Sequence, residues 1–307
     1  MISVVIPVYK AEKCLDELYS RLTKVMGIMS CDYELIFVED CGGDGSWNII
    51  STLSKKDSRV RGLQFSRNFG QHYGITAGID VAQGDWVVVM DCDLQDRPEE
   101  IPNLYRKALE GYEVVLANRG KRSDPLLKRL ASWAFYRVFN YLVEIDHDGR
   151  VGNFRIISRK VADIFKGMRE RLRFFGGLID WMGFPVAYVD VTHDERFFGE
   201  SSYTYRKLFQ LAMETIIAYT DKPLRLAVKL GFSISLLSML YGCFIIYRAI
   251  FKGVPVAGWS SLIVSVYFLG GVVIAILGVI GIYVGRSFDE AKRRPLYIVS
   301  KTVGGGE

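Results

Sequence analysis

Residues 86–96 read W-V-V-V-M-D-C-D-L-Q-D and place two carboxylates directly after an apolar run. Residues 87–90 are wholly apolar and rich in β-branched side chains, which predicts a buried strand of a parallel sheet. Asp91 and Asp93 follow at its carboxyl end, where open α/β sheets bind their ligands, and alternation along an extended backbone points both side chains the same way. The alternative is a solvated acidic turn after a core strand.

Two carboxylates held side by side repel each other unless a cation lies between them. Hard oxygen ligands of this type suit Mg²⁺ or Mn²⁺, which keep coordination positions open for substrate phosphates. Gln95 adds a neutral oxygen in the same turn. We therefore predict a metal site formed by Asp91, Asp93 and Gln95.

Strand and helix patterns alternate on both sides of this stretch. Apolar, β-branched runs predict strands at residues 2–9, 33–38, 59–65, 113–117, 154–157 and 186–191. Apolar residues at helical spacing predict helices at residues 11–29, 71–82, 98–110 and 161–168, with a further helix that begins at Ser46. This order predicts a mainly parallel sheet with right-handed crossovers, the Rossmann-like architecture of nucleotide-binding domains.

Two long apolar runs follow the α/β part of the chain. Residues 230–250 and 262–284 contain 21 and 23 residues with few charges. At about 1.5 Å per residue, helices of this length measure roughly 31 and 34 Å, enough to cross a bilayer core of about 30 Å. They predict two transmembrane helices. The alternative, a pair of buried core helices, needs a large surrounding core.

Two further segments have the pattern of helices that lie in a membrane interface. Residues 126–143 mix apolar, aromatic and basic side chains, and residues 204–220 directly precede the first predicted span. For residues 126–143 the alternative is an ordinary amphipathic helix on a soluble domain. We expect a cytoplasmic catalytic domain at residues 1–220, and a membrane domain with a short cytoplasmic tail at residues 221–307.

Charge and cysteine content restrict the partners and the compartment. The net charge of +5 gives no reason to expect a nucleic-acid partner, because anionic lipid headgroups account for the basic residues next to the predicted spans. Those basic residues are concentrated at the outer ends of the pair of spans, which predicts that both termini are cytoplasmic. The five cysteines lack metal-ligand spacing, and residues 1–9 are strand-like and unlike a signal peptide.

Seven motifs occur in order along the chain. They are V-I-P-V-Y (5–9), F-V-E-D-C-G-G-D-G-S (37–46), S-R-N-F-G (66–70), D-C-D-L-Q-D-R-P-E (91–99), N-F-R-I-I-S-R-K (153–160), R-F-F-G-E-S-S-Y (196–203) and I-Y-V-G-R-S-F-D-E-A-K-R-R-P (282–295). With the two predicted spans, this set resembles glycosyltransferase family 2, which has the GT-A fold. Within it, the chain is most similar to polyisoprenyl-phosphate (bactoprenol) glycosyltransferases of bacteria and to dolichyl-phosphate mannose synthases.

The resemblance implies a role for each matched residue. The catalytic residues would be Asp91, Asp93 and Asn153, and the metal, Mg²⁺ or Mn²⁺, would be held by Asp91, Asp93 and Gln95. The nucleotide sugar would be bound by Pro7, Tyr9, Asp40, Arg67, Asp91 and Arg119, with Asp40 pairing with the uracil or ribose. The acceptor phosphate would be bound by Lys128, Ser132, Arg196 and Ser201.

Position 153 departs from the family pattern. Many relatives have G-D-F-R where this chain has Gly152-Asn153-Phe154-Arg155, and an asparagine cannot serve as a base. A lipid monophosphate, whose second pKa is about 6, is already largely dianionic at neutral pH, so its oxygen can attack without a general base. We expect Asn153 to position a reacting group by hydrogen bonding.

The resemblance implies an inverting transfer of a sugar from a UDP-sugar to undecaprenyl phosphate, or a similar polyprenyl phosphate, at the cytoplasmic leaflet of a bacterial inner membrane. The lipid-linked monosaccharide would serve the modification of a cell-envelope glycan. A homo-oligomer is also implied, with a tetramer as one form. Alternatives are a processive polysaccharide synthase, whose Q-x-x-R-W motif is absent here, and a non-catalytic scaffold or flippase partner.

Overall fold

The computed structural model describes residues 1–118, 151–192, 222–252 and 258–305. The strands of this part of the chain are β1 (Ile2–Val8), β2 (Tyr33–Glu39), β3 (Val60–Phe65), β4 (Trp86–Val89), β5 (Val114–Asn118), β6 (Val151–Ser158), β7 (Val186–Asp190) and β8 (Val299–Val303). The helices are α1 (Leu15–Met29), α2 (Ser46–Lys56), α3 (Gln71–Val81), α4 (Ile101–Ala108), α5 (Arg159–Gly167), α6 (Phe175–Trp181), α7 (Lys222–Lys252) and α8 (Trp259–Ala291).

The eight described strands form one sheet in the order β7-β5-β6-β4-β1-β2-β3-β8. Strand β1 is parallel to β2 and β4, β2 is parallel to β3, and β5 is parallel to β7. Strand β6 runs antiparallel to both β4 and β5, and β8 runs antiparallel to β3. This mainly parallel sheet with flanking helices confirms the predicted α/β fold class.

The centre of the sheet is apolar on both faces, as the continuous hydrophobic runs predict. Every residue of β1 and of β2 is buried. Helix α3 lies very close to β1, because a Cβ atom added at Gly78 would overlap the side chain of Val5. This close packing brings the first turn of α3 next to the carboxyl ends of β1, β2 and β4.

The chain divides into two compact units, of which the first contains the sheet and the second contains α7 and α8. These two helices have the length and composition needed to cross a membrane, with candidate spans at Leu224–Tyr241 and Ser265–Ala291. Their large apolar side chains are exposed; Phe232, for example, is 76% exposed. The two long apolar helices predicted from the sequence are thus confirmed, whereas the interfacial helices predicted at 126–143 and 204–220 lie outside the described residues.

The end of the chain differs from the sequence-based expectation. Residues from Arg294 onward, predicted to be a short tail of the membrane domain, belong to the unit that contains the sheet. There β8 extends the sheet beyond β3. The alternation in Val299-Ser-Lys-Thr-Val303 is too short to be distinctive by itself, and an exposed edge of β3 supplies the hydrogen bonds that make it a strand.

Candidate active site

The paired carboxylates lie where the sequence predicts, in the turn that follows β4. Asp91 and Asp93 are both partly exposed. Between them and Gln95 the backbone turns sharply, because Leu94 has a left-handed conformation with a φ of 62°. The backbone N–H of Gln95 donates to Asp93 Oδ1 over 3.2 Å, which holds the second carboxylate inside the turn.

Two side-chain amides donate hydrogen bonds to Asp91. The Nε2 atom of Gln71 donates to Asp91 Oδ1 over 2.6 Å, and the Nδ2 atom of Asn153 donates to the same oxygen over 3.4 Å. The register of the antiparallel pair explains the position of Asn153. Val89 of β4 pairs with Arg155 of β6 in antiparallel register. Asn153, two residues before Arg155, therefore lies beside Asp91, two residues after Val89.

Sequence reasoning missed Gln71. It is the first residue of α3, directly after Gly70, whose φ of 107° is a conformation that favours glycine. The usable signal was its place just after the motif S-R-N-F-G, in a polar turn between β3 and α3. Since β3 and β4 are not neighbours in the sheet, the sequence did not show that this turn reaches Asp91.

Asp40, predicted to contact the nucleotide, is buried and holds a neighbouring loop. Its two carboxylate oxygens accept backbone hydrogen bonds from Phe69 (2.7 Å) and Gly70 (2.8 Å). Burial raises the pKa of Asp40, and these two N–H donors oppose that rise. The carboxylate of Asp40 therefore anchors the loop of residues 66–70, and its contact with a uracil or ribose stays a prediction.

The remaining predicted nucleotide-binding residues lie at the end of β1, in the loop 66–70 or outside the described residues. Pro7 is buried near the end of β1, and Tyr9, just beyond that strand, is 46% exposed. Arg67 is exposed, with its guanidinium 4.3 Å from the ring centroid of Phe69. Residues of the predicted site that lie outside the described residues are Arg119, Lys128, Ser132, Arg196 and Ser201.

The donor set fits a hard divalent cation. Within the described residues, no three Asp, Glu, His or Cys side chains are grouped as a metal site. The candidate metal ligands that the protein offers in the turn after β4 are the two carboxylates of Asp91 and Asp93 and the side-chain amide of Gln95. Mg²⁺ is commonly bound in this manner, by one or two carboxylates, with waters and substrate phosphates as its other ligands.

Two buried arginines, Arg155 and Arg173, lie close to His72 in the first turn of α3. Arg155 is 2% exposed, and its guanidinium donates to the carbonyl oxygen of Gly152 (2.8 Å) and lies 4.9 Å from the ring centroid of Phe175. Burial, together with the charges of Arg155 and Arg173, lowers the pKa of His72 to about 4. His72 is therefore a very weak base and does not replace the carboxylate that is missing at position 153.

Cys92, between the two aspartates, is also unsuited to catalysis. Burial, together with the charges of Asp91 and Asp93, raises the pKa of its thiol to about 12. The reactive form of a cysteine is the thiolate, which is scarcely populated at neutral pH under these conditions. The site therefore offers no thiolate nucleophile at this position.

Comparisons with known proteins agree with this geometry. Residues 3–177 match the family described as Glycosyl transferase family 2. The uncharacterized glycosyltransferase YkcC of Bacillus subtilis is 44% identical, over 98% of this chain and 94% of that protein. The SfII prophage-derived bactoprenol glucosyl transferase of Shigella flexneri is 37% identical, over 98% of both proteins.

A solved structure supports the fold. The crystal structure of mannosyl-3-phosphoglycerate synthase from Rubrobacter xylanophilus superposes with a TM-score of 0.53 over 75% of each chain, at 15% sequence identity. At that identity the likeness concerns the fold alone, and it agrees with the GT-A fold expected from the motifs. The family match over more than half of the chain, together with relatives similar along nearly its entire length, shows that this protein belongs to glycosyltransferase family 2.

Proposed function

We propose that this protein transfers a sugar from a UDP-sugar to a polyprenyl phosphate such as undecaprenyl phosphate, with inversion at the sugar C1. The observation that carries the proposal is the pair Asp91 and Asp93 at the carboxyl end of β4, with Asp91 held by two amides. The relative named bactoprenol glucosyl transferase, similar over the whole chain, supports a lipid acceptor. The two long apolar helices suit an enzyme whose acceptor resides in a bilayer.

Asp91, Asp93 and Gln95 would hold the divalent metal, Mg²⁺ or Mn²⁺, against the donor diphosphate. When bound, the metal neutralises charge on the departing UDP. The contributions of this chain are geometric. Gln71 and Asn153 fix the direction of the Asp91 carboxylate, and Asp40 fixes the loop that carries Arg67.

No side chain has to accept a proton. A phosphate oxygen of the lipid forms a bond to the sugar C1 while the bond from C1 to the UDP oxygen breaks, and UDP leaves with the electron pair. The lipid phosphate is largely dianionic at neutral pH, since its second pKa is about 6. This route is consistent with an asparagine at position 153 and with the low pKa of His72.

Other parts of the site are proposed from the family resemblance. Pro7, Tyr9, Asp40, Arg67 and Arg119 would bind the nucleotide sugar. The acceptor phosphate would be bound by Lys128, Ser132, Arg196 and Ser201, since charge-assisted hydrogen bonds from Lys and Arg are strong partners for phosphate oxygens.

We also propose a location in the bacterial inner membrane, as a homo-oligomer, with the catalytic domain and both termini in the cytoplasm. Basic residues beside both outer helix ends support this orientation. Cysteine-accessibility mapping should then label position 255, between α7 and α8, only from outside, and the exposed position 302 only from inside. Labelling of position 255 from the cytoplasm would contradict the proposed topology.

The decisive experiment is a transfer assay. Purified full-length protein is incubated with undecaprenyl phosphate, Mg²⁺ and each of a panel of UDP-sugars, and the lipid product is identified by its mass. We expect one UDP-sugar to yield a polyprenyl-phosphate monosaccharide, and EDTA to prevent the reaction. Absence of a lipid product with every donor, from protein that is folded and binds UDP, would contradict the proposed acceptor.

A further inference from the structure

The last residues of the chain pack against the strand that leads into the Asp40-bound loop. We name residues 294–305 the C-terminal strap. Its strand β8 pairs antiparallel with β3, with Val303 beside Gly62 and Val299 beside Phe65. The pairing continues beyond β3, because the backbone N–H of Ser66 donates to the carbonyl oxygen of Ile298 over 3.0 Å. The strap is thus hydrogen-bonded to the first residue of the loop 66–70.

Tyr297 of the strap is held through both its ring and its hydroxyl. Its ring stacks on Phe65, with 5.2 Å between centroids and 23° between planes. Its hydroxyl donates to Asp80 Oδ2 over 2.7 Å, and Arg169 binds the two oxygens of Asp80 at 2.8 and 3.1 Å. Burial and the nearby Asp80 raise the pKa of Tyr297, so its hydroxyl remains a donor at neutral pH.

The ring of Phe65 connects Tyr297 to the loop. Phe69 meets Phe65 edge to face, with 5.4 Å between centroids. The backbone N–H of Phe69 is one of the two groups bound by the Asp40 carboxylate. Directly after the loop, Gln71 donates to Asp91. A continuous series of contacts therefore runs from Tyr297, through Phe65 and Phe69, to the backbone that presents Gln71.

We propose that the C-terminal strap positions the donor side of the active site, and that Tyr297 is its positioning residue. By fixing Phe65 and Phe69, Tyr297 restricts the loop 66–70 to the conformation in which Asp40 binds both amides and Gln71 reaches Asp91. Tyr297 touches no substrate and acts through the loop. The inference rests on the proposed function, because it concerns the affinity of that site for a uridine nucleotide.

A matched variant separates positioning from general stabilisation of the sheet edge. Val303 lies on the same strap, partly buried and packed against the core, but at the end of β8 that pairs with Gly62, away from the loop. Replacing Val303 by Ala weakens the strap without removing the ring stack. Tyr297→Phe keeps the stack and removes only the hydroxyl that binds Asp80.

The experiment measures loop order and UDP affinity in the full-length protein in detergent. Hydrogen exchange reports the amides of residues 66–71, and calorimetry with Mg²⁺ gives the dissociation constant of UDP. For Tyr297→Ala we expect faster exchange at Phe69 and Gly70, and roughly three- to tenfold weaker UDP binding, the range that a lost aromatic pair produces. Donor KM should rise by a similar factor, with kcat changed less.

Tyr297→Phe should remain within about twofold of wild type, since the ring pair that carries most of this effect persists. Val303→Ala should lower the melting temperature without changing loop exchange or UDP affinity. Equal effects of Val303→Ala and Tyr297→Ala on the loop, or unchanged exchange and affinity in Tyr297→Ala, would overturn the inference.

If Tyr297→Ala does not purify as a folded protein, Tyr297→Leu, which keeps apolar volume without the ring, is held to the same criteria. If wild type does not bind UDP, the proposed function fails. Loop exchange in the variants then still decides, by the same criteria, whether the strap orders residues 66–70.

Discussion

Carboxylates follow β2 and β4 at the carboxyl ends of these strands, and their hydrogen-bond partners differ. Asp40, after β2, is 3% exposed, and both of its oxygens are bound by backbone N–H groups. Asp91 and Asp93, after β4, are partly exposed, and Asp91 Oδ1 accepts hydrogen bonds from two side-chain amides. Asp40 thus holds the backbone of the loop 66–70, whereas Asp91 and Asp93 are the carboxylates proposed to bind a metal.

This difference teaches that position at the carboxyl end of a strand does not by itself assign a role. A carboxylate that accepts two backbone hydrogen bonds is a structural anchor, because moving it would leave partly buried donors without these partners. A carboxylate oriented by amides retains coordination capacity and can gain a cation without breaking the backbone structure. The following predictions test this contrast, in order of decreasing effect.

The largest effect should follow from removing the carboxylate of Asp91 or of Asp93. Asp91→Asn and Asp93→Asn should each lower turnover roughly a hundredfold or more, or about 2.7 kcal/mol, since a metal ligand that stabilises the leaving diphosphate is lost. The melting temperature should change little. Asp163→Asn, on the exposed side of α5, is the matched control and should keep full activity. Full turnover of the wild type in EDTA would contradict the prediction.

Asp40→Asn should act chiefly on stability. The amide offers one acceptor oxygen in place of two, so the N–H of Phe69 or of Gly70 loses its partner, at a cost of about 2 kcal/mol. We expect a lower melting temperature and faster exchange of residues 66–70, with Asp16→Asn on the exposed face of α1 as the control. UDP affinity should also fall if Asp40 contacts the nucleotide as proposed above. An unchanged melting temperature and unchanged exchange of residues 66–70 would contradict the anchoring role of Asp40.

The same variant has a pH signature. Burial raises the pKa of Asp40 above its unfolded value, so between these two values the folded state binds more protons than the unfolded state. This contribution to stability is present below the unfolded pKa and is lost as the pH rises through the folded pKa. Asn does not titrate, so the destabilisation caused by Asp40→Asn should be largest on the acidic side of this window and smaller above it.

Gln71→Ala should have a smaller effect, and on activity more than on stability. Losing the 2.6 Å hydrogen bond to Asp91 frees the carboxylate to rotate, which we expect to raise the metal concentration for half-maximal activity about tenfold, or about 1.4 kcal/mol. Gln83→Ala, beyond the other end of α3, is the control. An unchanged metal requirement in Gln71→Ala would show that Asp91 is held without it.

The sequence predicted those features that depend on local pattern. The continuous apolar runs of β1, β2 and β4 identify buried strands, and the position of Asp91 and Asp93 after β4 follows from them. The apolar parts of α7 and α8 are likewise visible in their composition, although the two helices extend beyond the predicted residues 230–250 and 262–284. Each of these inferences needs only neighbouring residues.

Features that depend on contacts between distant residues could not be predicted in the same way. Gln71 reaches Asp91 because α3 packs across the sheet, and Val299–Val303 becomes a strand only because β3 leaves an edge to pair with. The commitment of Asp40 to the loop 66–70 depends on backbone N–H groups, which carry no side-chain signal in a sequence. Tertiary hydrogen bonding decides these cases.

The smallest effect on turnover concerns position 153, where a carboxylate can be added to the exposed pair. Asn153 lies 3.4 Å from Asp91 Oδ1, so Asn153→Asp would place two carboxylates in contact. Without metal this repulsion should lower the melting temperature, and Mg²⁺ should restore it. With metal and UDP-sugar saturating, turnover should change by less than about tenfold, because no base is needed. Turnover should still rise with pH through an inflection near the lipid phosphate pKa of about 6. Asn153→Ala is the comparison that removes the amide without adding charge. A hundredfold acceleration by Asn153→Asp would show that a carboxylate at position 153 assists the attack as a base, and the base-free mechanism would then be wrong.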